Sequence, residues 1–308
     1  MFICGCKIIA FMTKEHISTY FQELQDSICK ALEKADGTGK FHEDNWQREG
    51  GGGGRSRVIQ DGKIIEKGGV MFSAVWGDLH EKMLASMGLT EKVDFFATGV
   101  SIVLHPKSPR MPIIHMNVRY FEMSNGSFWF GGGIDLTPHY VIEEDAVWFH
   151  KTLKNACDKH NEAYYPKFKT WADDYFFNTH RNETRGIGGI FFDYQKTDET
   201  RNKEQLFDFV KEIGESFAPI YTHFMKKNKD LPYTENEKTF QMLRRGRYVE
   251  FNLVHDRGTK FGLETNGRTE SILMSMPPVA NWVYNYQAVE GSEEEMTLNL
   301  LKKGINWV

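Results

Sequence analysis

Cysteine is scarce in this sequence, with 4 residues of this type among 308. Cys4, Cys6, Cys29 and Cys157 make neither a CxxC pair nor the dense framework typical of small secreted domains. The pattern predicts a protein of a reducing compartment, and we expect a cytoplasmic location.

Long apolar runs and an excess of positive charge are also missing. No apolar stretch approaches the roughly 20 residues that span a bilayer. The start, MFICGCKIIAFMTKEH, lacks the basic leader of a signal peptide and the arginines of a transit peptide. The formal net charge of -4 gives no positive field for nucleic acid. We therefore expect no transmembrane segment and no nucleic-acid partner.

Several familiar catalytic motifs are absent. Gly131, Gly132 and Gly133 are followed by Ile-Asp-Leu rather than Gly-Lys-Ser/Thr, which excludes a phosphate loop. The glycines of RGIGGIFFD at 185–193 precede a strand-like Phe-Phe pair, which makes a poor dinucleotide fingerprint. Neither GxSxG nor HExxH occurs. Glycines within a strand instead suggest close approach of a ligand to the backbone, so we expect them to clear the floor around Asp135.

Aromatic residues are abundant, at 14% of the chain, which suits a large core or a pocket for a flat apolar ligand. Apolar residues at helical spacing predict a helix over residues 13–35. The glycine-rich residues 36–69 indicate a loop and hairpin or a lid. Further strands are predicted at 99–105, 112–123, 127–135, 188–194, 247–255 and 269–276, and further helices at 142–160, 166–181, 202–228, 234–244 and 292–303.

The first three of these strands are joined by connections too short for parallel crossovers, which predicts antiparallel pairing. The fold class expected is therefore α+β, with a large, mainly antiparallel β-sheet flanked by helices. No internal repeat or boundary interrupts the chain. We expect a single domain over residues 1–308, in which residues 1–40 form an N-terminal helix and extension.

One face of this sheet is predicted to be polar. In PIIHMNVRYFE, apolar residues alternate with His115, Asn117 and Arg119. RYVEFNLVH at 247–255 alternates in the same way. A face that merely meets water would carry lysine, glutamate and threonine. Histidine, asparagine and arginine place directional hydrogen bonds, which favours a functional pocket.

Histidine and arginine are the candidate chemical groups. Four histidines lie near the polar face or on adjoining helices: His105, His115, His150 and His180. They are candidate metal ligands, but their spacing matches no ligand signature, which favours separate hydrogen-bonding or proton-transfer roles. Arginine forks recognise carboxylates, and Arg119 and Arg268 are the least easily explained as surface charges.

Three long blocks carry a likeness to a known family. They are GVSIVLHPKSPRMPIIHMNVRYFE with FWFGGGIDLTP, then YPKFKTWADDYFFNTHRNETRGIGGIFFD, then RRGRYVEFNLVHDRGTKFGLETNGRTESILMSMPP. Together they resemble the oxygen-dependent coproporphyrinogen oxidases. The resemblance implies a homodimer, with residues 248–283 in the region of dimer formation. It implies aerobic oxidative decarboxylation of two propionates of coproporphyrinogen III to vinyls, giving protoporphyrinogen IX, carbon dioxide and hydrogen peroxide in haem biosynthesis.

The resemblance also implies roles for individual residues. The catalytic residues would be His115 as proton donor, Asp135 as the group that engages the pyrrole nitrogens, and Arg257 beside it. The substrate-binding residues would be Ser101, Asn117, Val118, Arg119, Asn266, Gly267 and Arg268. His105, His115, His150 and His180 match a divalent-metal site of bacterial members. Molecular oxygen is the co-substrate, no cofactor is expected to be required, and the mitochondrial intermembrane space is the alternative location.

The residues permit a direct reaction of a deprotonated pyrrole with oxygen, assisted by Asp135. Two alternatives stay open. One is a non-haem iron oxygenase that uses the histidines with an aspartate. The other is a tetrapyrrole-binding carrier that uses the same arginines.

Overall fold

Seven strands form one sheet in the computed structural model, which describes residues 12–79, 84, 88–265 and 267–308. The strands are β1 Phe41–Gln47, β2 Gly52–Gln60, β3 Ile65–Asp78, β4 Asp94–Pro106, β5 Ile113–Met123, β6 Phe128–Thr137 and β9 Gly189–Gln195. A separate pair consists of β7 Phe177–Asn178 and β8 Glu183–Thr184. The order in the large sheet is β1-β2-β3-β4-β5-β6-β9, and every pairing is antiparallel. The predicted antiparallel sheet is confirmed.

Helices surround this sheet, as the α+β prediction requires. Those in the described residues are α1 Lys14–Asp36, α2 Glu143–Asp158, α3 Tyr164–Tyr175, α4 Lys203–Asn228, α5 Glu235–Glu250, α6 Arg257–Glu264, α7 Thr269–Leu273 and α8 Glu293–Leu300. A π-helical turn, Phe251–His255, continues α5. None of the helices in these ranges combines the length and the apolarity of a membrane span.

The predicted N-terminal helix is confirmed as α1. Thr13 caps its first turn by accepting a hydrogen bond from the backbone of His16, and Gly37 ends it with a φ of 86°. The apolar stripe that begins with Ile17 and Phe21 is fully buried. Helices α1 and α4 pack against each other and against the same face of the sheet, where they enclose the main core.

The alternation along β5 is confirmed by burial. Ile114, Met116 and Val118 are fully buried against the helical layer. His115, Asn117 and Arg119 point to the opposite face and are only half-buried. Because the strand period is two residues, this one strand assigns the face of every residue paired with it across the sheet.

Residues 247–255 were expected to form a strand, and this prediction is wrong. A capping box between Thr234 and Glu237 begins α5, and the helix and its π turn continue without a break to residue 255. Tyr248 and Phe251 lie three positions apart in this helical segment, and both are buried beneath it. Their aromatic side chains suit a strand equally well, so the sequence pattern could not separate the two structures.

Two further segments can be compared with expectation. Residues 36–69 contain all of β1 and β2 and the start of β3. The hairpin expected there is present, and the glycines of β2 allow its strands to pack closely. A Cβ atom at Gly54 would lie 2.3 Å from the Trp46 ring. Residues 269–276 were expected as a strand, but Thr269–Leu273 is α7. Met274 then packs onto Gly69, where a Cβ atom would lie 2.2 Å from its sulfur atom.

The three glycines of β6 do not share one role. Gly131 and Gly133 stand opposite Arg119 and Asn117 on the polar face. Gly132 stands opposite the buried Val118, so it faces the core instead. A Cβ atom at Gly132 would lie 2.7 Å from the ring of Phe192. All three glycines were expected to leave space for a ligand, and this is wrong at Gly132. Gly132 instead leaves space for the core side chain of Phe192.

We predict that Gly132→Val destabilises the fold by about 1–3 kcal/mol, because added bulk in a filled core forces strain. Thermal or denaturant unfolding measures this loss. Ser127→Val introduces the same side chain at an exposed residue and should leave stability unchanged within about 0.5 kcal/mol. Equal stability of the two variants would contradict the assignment of Gly132 to the core.

Candidate active site

Three rows of facing residues cross the polar side of the sheet. From β2 to β6 the rows are Val58, Gly69, Val103, His115 and Asp135; Ser56, Met71, Ser101, Asn117 and Gly133; and Gly54, Ser73, Gly99, Arg119 and Gly131. We call the surface that they form the groove. Ser101, His115, Asn117 and Arg119 are half-buried within it. The register therefore brings these four predicted site residues together.

Val118 does not belong to this group. It was expected among the substrate-binding residues, but its side chain is fully buried on the core face. Its carbonyl oxygen instead lies beneath Gly99, where a Cβ atom would come within 2.4 Å. Any contribution of Val118 to the groove is therefore made by its backbone and by the strand that it continues.

One end of the groove is aromatic. Phe121 and Trp129 stack with ring centres 4.3 Å apart, and Phe95 stacks on Phe121 at 5.8 Å. These side chains continue the polar face beyond Arg119. Trp129 thus forms part of an aromatic wall at this end of the groove. Its neighbour Phe130 is fully buried in the core on the other face.

The other end holds a buried carboxylate. Asp135 lies opposite His115 in the register, and the Nδ1 atom of His115 is 2.8 Å from its Oδ1 atom. Arg185 donates to both carboxylate oxygens, at 2.6 Å to Oδ1 and 3.2 Å to Oδ2. The side chain of Asp135 is 1% exposed and that of His115 is 20% exposed. The more accessible member of this pair is therefore the histidine.

Burial alone would raise the pKa of Asp135, because it disfavours the charged form. The charge of Arg185 and the hydrogen bond from His115 outweigh this effect and hold the pKa below its ordinary value. Asp135 is therefore a carboxylate at neutral pH. As an acceptor it orders the Nδ1 hydrogen of His115, which leaves the Nε2 atom of that ring as a proton acceptor.

Arg185 is surrounded by aromatic rings. Its guanidinium carbon lies 4.4, 4.8 and 4.6 Å from the ring centres of Phe176, Tyr248 and Phe251. Its Nη1 atom donates to the amide oxygen of Asn252 at 3.1 Å. These rings come from the end of α3 and from the α5 and π-helical segment, so the misassigned residues 247–255 form the cover of this end of the groove.

Arg119 and Arg257 occupy different parts of the site. Arg119 donates to Asn117 at 2.7 Å and pairs with Asp193 at 2.8 Å. Arg257 begins α6, and its guanidinium carbon lies 5.5 Å from the ring centre of Tyr175. The hydroxyl of Tyr175 donates to Asp256 at 2.9 Å. Arg257 thus lies against Tyr175, at the start of α6.

Arg268 lies beside β1 and β2. Arg268 pairs with Asp44 and donates to Ser271 at 3.0 Å. The amide of Gly267 donates to the carbonyl of Gly262 at 2.8 Å. Asn266, the other expected contact, lies outside the described residues.

The four histidines do not form one metal site. Their partners are the Ser275 carbonyl for His105, Asp135 for His115, Tyr165 and the Ile187 carbonyl for His150, and His255 and Glu250 for His180. Burial lowers the pKa of His105 to about 3 and that of His150 to about 4. No group of three or more histidine, cysteine, aspartate or glutamate side chains in the described ranges is arranged to hold an ion. The histidines therefore do not fit the divalent-metal site that the resemblance implied.

Arg185 is the residue that sequence reasoning missed at this centre. It was not among the expected site residues. The sequence feature that could have indicated it is the glycine pair that follows. Gly188 and Gly189 allow β9 to pack closely against β6. Gly189 has a φ of 157°, and a Cβ atom there would lie 2.0 Å from the Ile134 carbonyl. That close approach brings Arg185 over Asp135.

The sequence matches known proteins over most of its length. A family model described as Coproporphyrinogen III oxidase matches residues 16–307. An oxygen-dependent coproporphyrinogen-III oxidase of Prochlorococcus marinus (strain NATL1A) is 48% identical, over 92% of this chain and 88% of the relative. A chloroplastic protein of the same name from Glycine max is 49% identical, over 93% and 77%. A mitochondrial one from Mus musculus is 49% identical, over 96% and 69%.

We predict that Asp135→Asn lowers the free energy of unfolding by about 3–5 kcal/mol at pH 7, because Arg185 is left charged and buried without its partner. Denaturant unfolding measures the loss. Asp135→Asn with Arg185→Met should recover part of it. Asp26→Asn removes an exposed carboxylate that pairs with Arg55 and Arg57, and should cost less than about 1 kcal/mol.

The pH dependence follows from the lowered pKa of Asp135. Its stabilisation is fully present above the ordinary aspartate pKa of about 4 and is lost as pH falls through the lower folded-state value. The stability difference between wild type and Asp135→Asn should therefore shrink below about pH 4. A difference that stays constant on acidification would contradict the ionised pair.

Proposed function

Because the chain belongs to the coproporphyrinogen III oxidase family, we propose that the groove binds coproporphyrinogen III and converts two of its propionates to vinyl groups. The reaction is an oxygen-dependent oxidative decarboxylation of haem biosynthesis. One propionic acid side chain and one O₂ give one vinyl group, one CO₂ and one H₂O₂. The observation that carries this assignment is the His115–Asp135 pair at one end of a groove that also carries Arg119.

Charge and shape both suit a reduced tetrapyrrole. Arg119 and Arg268 are guanidinium groups on the groove and at its β1–β2 side, where they bind propionate carboxylates. Ser101 and Asn117 add neutral hydrogen bonds between them. Arg119 lies four positions after His115 along β5, or about 13 Å away. A macrocycle can therefore hold a peripheral carboxylate at Arg119 while its pyrrole nitrogens lie over His115.

The His115–Asp135 pair supplies the proton acceptor. Asp135 accepts the Nδ1 hydrogen of His115, so Nε2 takes the pyrrole N–H proton and the carboxylate stabilises the resulting imidazolium. In this proposal His115, rather than the buried Asp135, contacts the substrate. The deprotonated pyrrole is electron-rich at a ring carbon, which bonds to oxygen as a hydroperoxide. Loss of peroxide, CO₂ and a side-chain hydrogen then leaves the vinyl group.

Two other functions make different demands on the same residues. A non-haem iron oxygenase needs histidines gathered with a carboxylate around one ion, whereas His105, His150 and His180 bind separate protein groups. A tetrapyrrole carrier needs the arginines but no proton acceptor. We propose that no metal is required and that O₂ is the only co-substrate.

We predict that His115→Gln lowers the rate of vinyl formation from coproporphyrinogen III in air by about 10²–10⁴-fold, because the proton acceptor is lost. Product formation is measured by separation of the two porphyrins after oxidation. His16→Gln changes an exposed histidine of α1, on the other face of the sheet, and should keep full activity.

Metal dependence is tested in the same assay. Protein freed of metal by a chelator, and checked by elemental analysis, should turn over at the wild-type rate. A requirement for added iron would support the oxygenase instead. Binding of coproporphyrinogen without any vinyl product would support the carrier.

We also propose that two copies associate through residues 248–283. Large apolar side chains are exposed within this region: Leu253, Val254, Phe261, Leu263, Val279, Trp282 and Val283. Apolar groups exposed this densely mark an interaction surface. The family resemblance indicates that the partner is a second copy of the chain.

We predict that Leu253→Asp raises the dimer dissociation constant by about 10–100-fold, because it places a charge in an apolar interface. Analytical ultracentrifugation measures the constant. Leu231→Asp alters a similarly exposed leucine just after α4 and should not change it. A wild-type protein that sediments as a monomer at all concentrations would contradict the dimer.

The cysteines bear on the cellular location. Those in the described residues, Cys29 and Cys157, are free and buried, which suits a reducing compartment. We propose a cytoplasmic location on this basis. Fractionation of cells that express the full chain tests it.

A further inference from the structure

The groove arginines already pair with carboxylates of the protein. Arg119 places its Nη2 atom 2.8 Å from the Oδ2 atom of Asp193, and Arg268 pairs with Asp44. The side chain of Arg119 nevertheless stays 35% exposed, so a ligand in the groove can reach the same guanidinium. Asp193 had no role in the expected site.

The Arg119–Asp193 pair has a dedicated place in the fold. Both side chains lie over Gly131, where a Cβ atom would come 2.5 Å from Asp193 Oδ1 and 2.8 Å from Arg119 Nε. Asp193 Oδ1 also accepts the backbone N–H of Tyr194 at 2.9 Å. The Nη1 atom of Arg119 also donates a hydrogen bond to the Oδ1 atom of Asn117 at 2.7 Å. Gly131 therefore makes room for an ion pair that is held from both sides.

The proposed reaction removes the charge of any converted propionate that Arg119 binds. A propionate carries a carboxylate before turnover, and the vinyl group that replaces it is neutral because the carboxylate carbon leaves as CO₂. An arginine that bound this propionate would face an apolar group in the product complex. Leaving a partly buried charge without a partner is unfavourable, so the site needs a second anion at this stage.

We propose that Asp193 is an exchangeable counter-ion for Arg119 and thereby sets the relative affinity of the groove for a propionate and for a vinyl group. This inference rests on the proposed function. A substrate propionate displaces Asp193 from Arg119 on binding. When the propionate has become a vinyl group, Asp193 pairs with Arg119 again. Asp193 thus weakens the binding of the tetracarboxylate and keeps Arg119 neutralised beside the product.

The test compares two stable porphyrins that differ only in the two converted side chains. Coproporphyrin III has four propionates, and protoporphyrin IX has two propionates and two vinyl groups. Quenching of tryptophan fluorescence gives the dissociation constant of each. Asp193→Asn should increase the preference for coproporphyrin over protoporphyrin by about tenfold, because displacement no longer opposes the propionate and Arg119 is unpaired beside the vinyl.

Three further variants make the test specific. Asp26→Asn removes an arginine-paired carboxylate outside the groove and should leave the preference unchanged. Asp193→Asn in an Arg119→Gln background should also leave it unchanged, because Arg119 mediates the effect. Asp193→Ser replaces Asp193→Asn if the latter does not fold.

An unchanged preference in a folded Asp193 variant overturns the proposal, as does a change that persists without Arg119. Either result leaves the proposed function standing if wild-type protein still converts coproporphyrinogen. Failure of wild-type turnover would instead overturn the proposed function itself.

Discussion

The buried ion pair between Asp135 and Arg185 is the interaction on which the rest of the site depends. Two opposite charges in a region of low dielectric constant must stay together, because each alone would be strongly destabilising. Asp135 belongs to β6 and Arg185 to the segment that leads into β9. Their pairing therefore fixes the junction of these strands, orders the His115 ring through Asp135, and gives three aromatic rings a cation to pack on.

The rest of the groove uses arginines in a second way. Arg185 is closed off from solvent and has a permanent partner, whereas Arg119 and Arg268 keep part of their side chains exposed and pair with Asp193 and Asp44. The buried arginine therefore supports the structure. The exposed arginines can still bind the carboxylates of a ligand. The same residue type therefore has two physical roles in this site.

Much of the sheet and part of the site could be predicted from the sequence. The alternation along β5 identified His115, Asn117 and Arg119 as neighbours, because a two-residue period leaves one choice of face. Residues 247–255 could not be assigned, because Tyr248 and Phe251 suit a buried helix as well as a strand. The role of Arg185 depends on a carboxylate 50 positions away, and short-range patterns carry no information about such a contact.

The placement of α5, the π turn and α7 has a consequence for folding. The sheet and the helices α1 and α4 are complete in the chain by residue 228. The polar face of that sheet is covered only when residues 235–276 arrive, with Tyr248 and Phe251 packing on it. During synthesis Arg185 therefore becomes buried only after Tyr248 and Phe251 have been made. The last quarter of the chain thus completes the assembly, and until it does so the partly formed sheet is most open to misassociation.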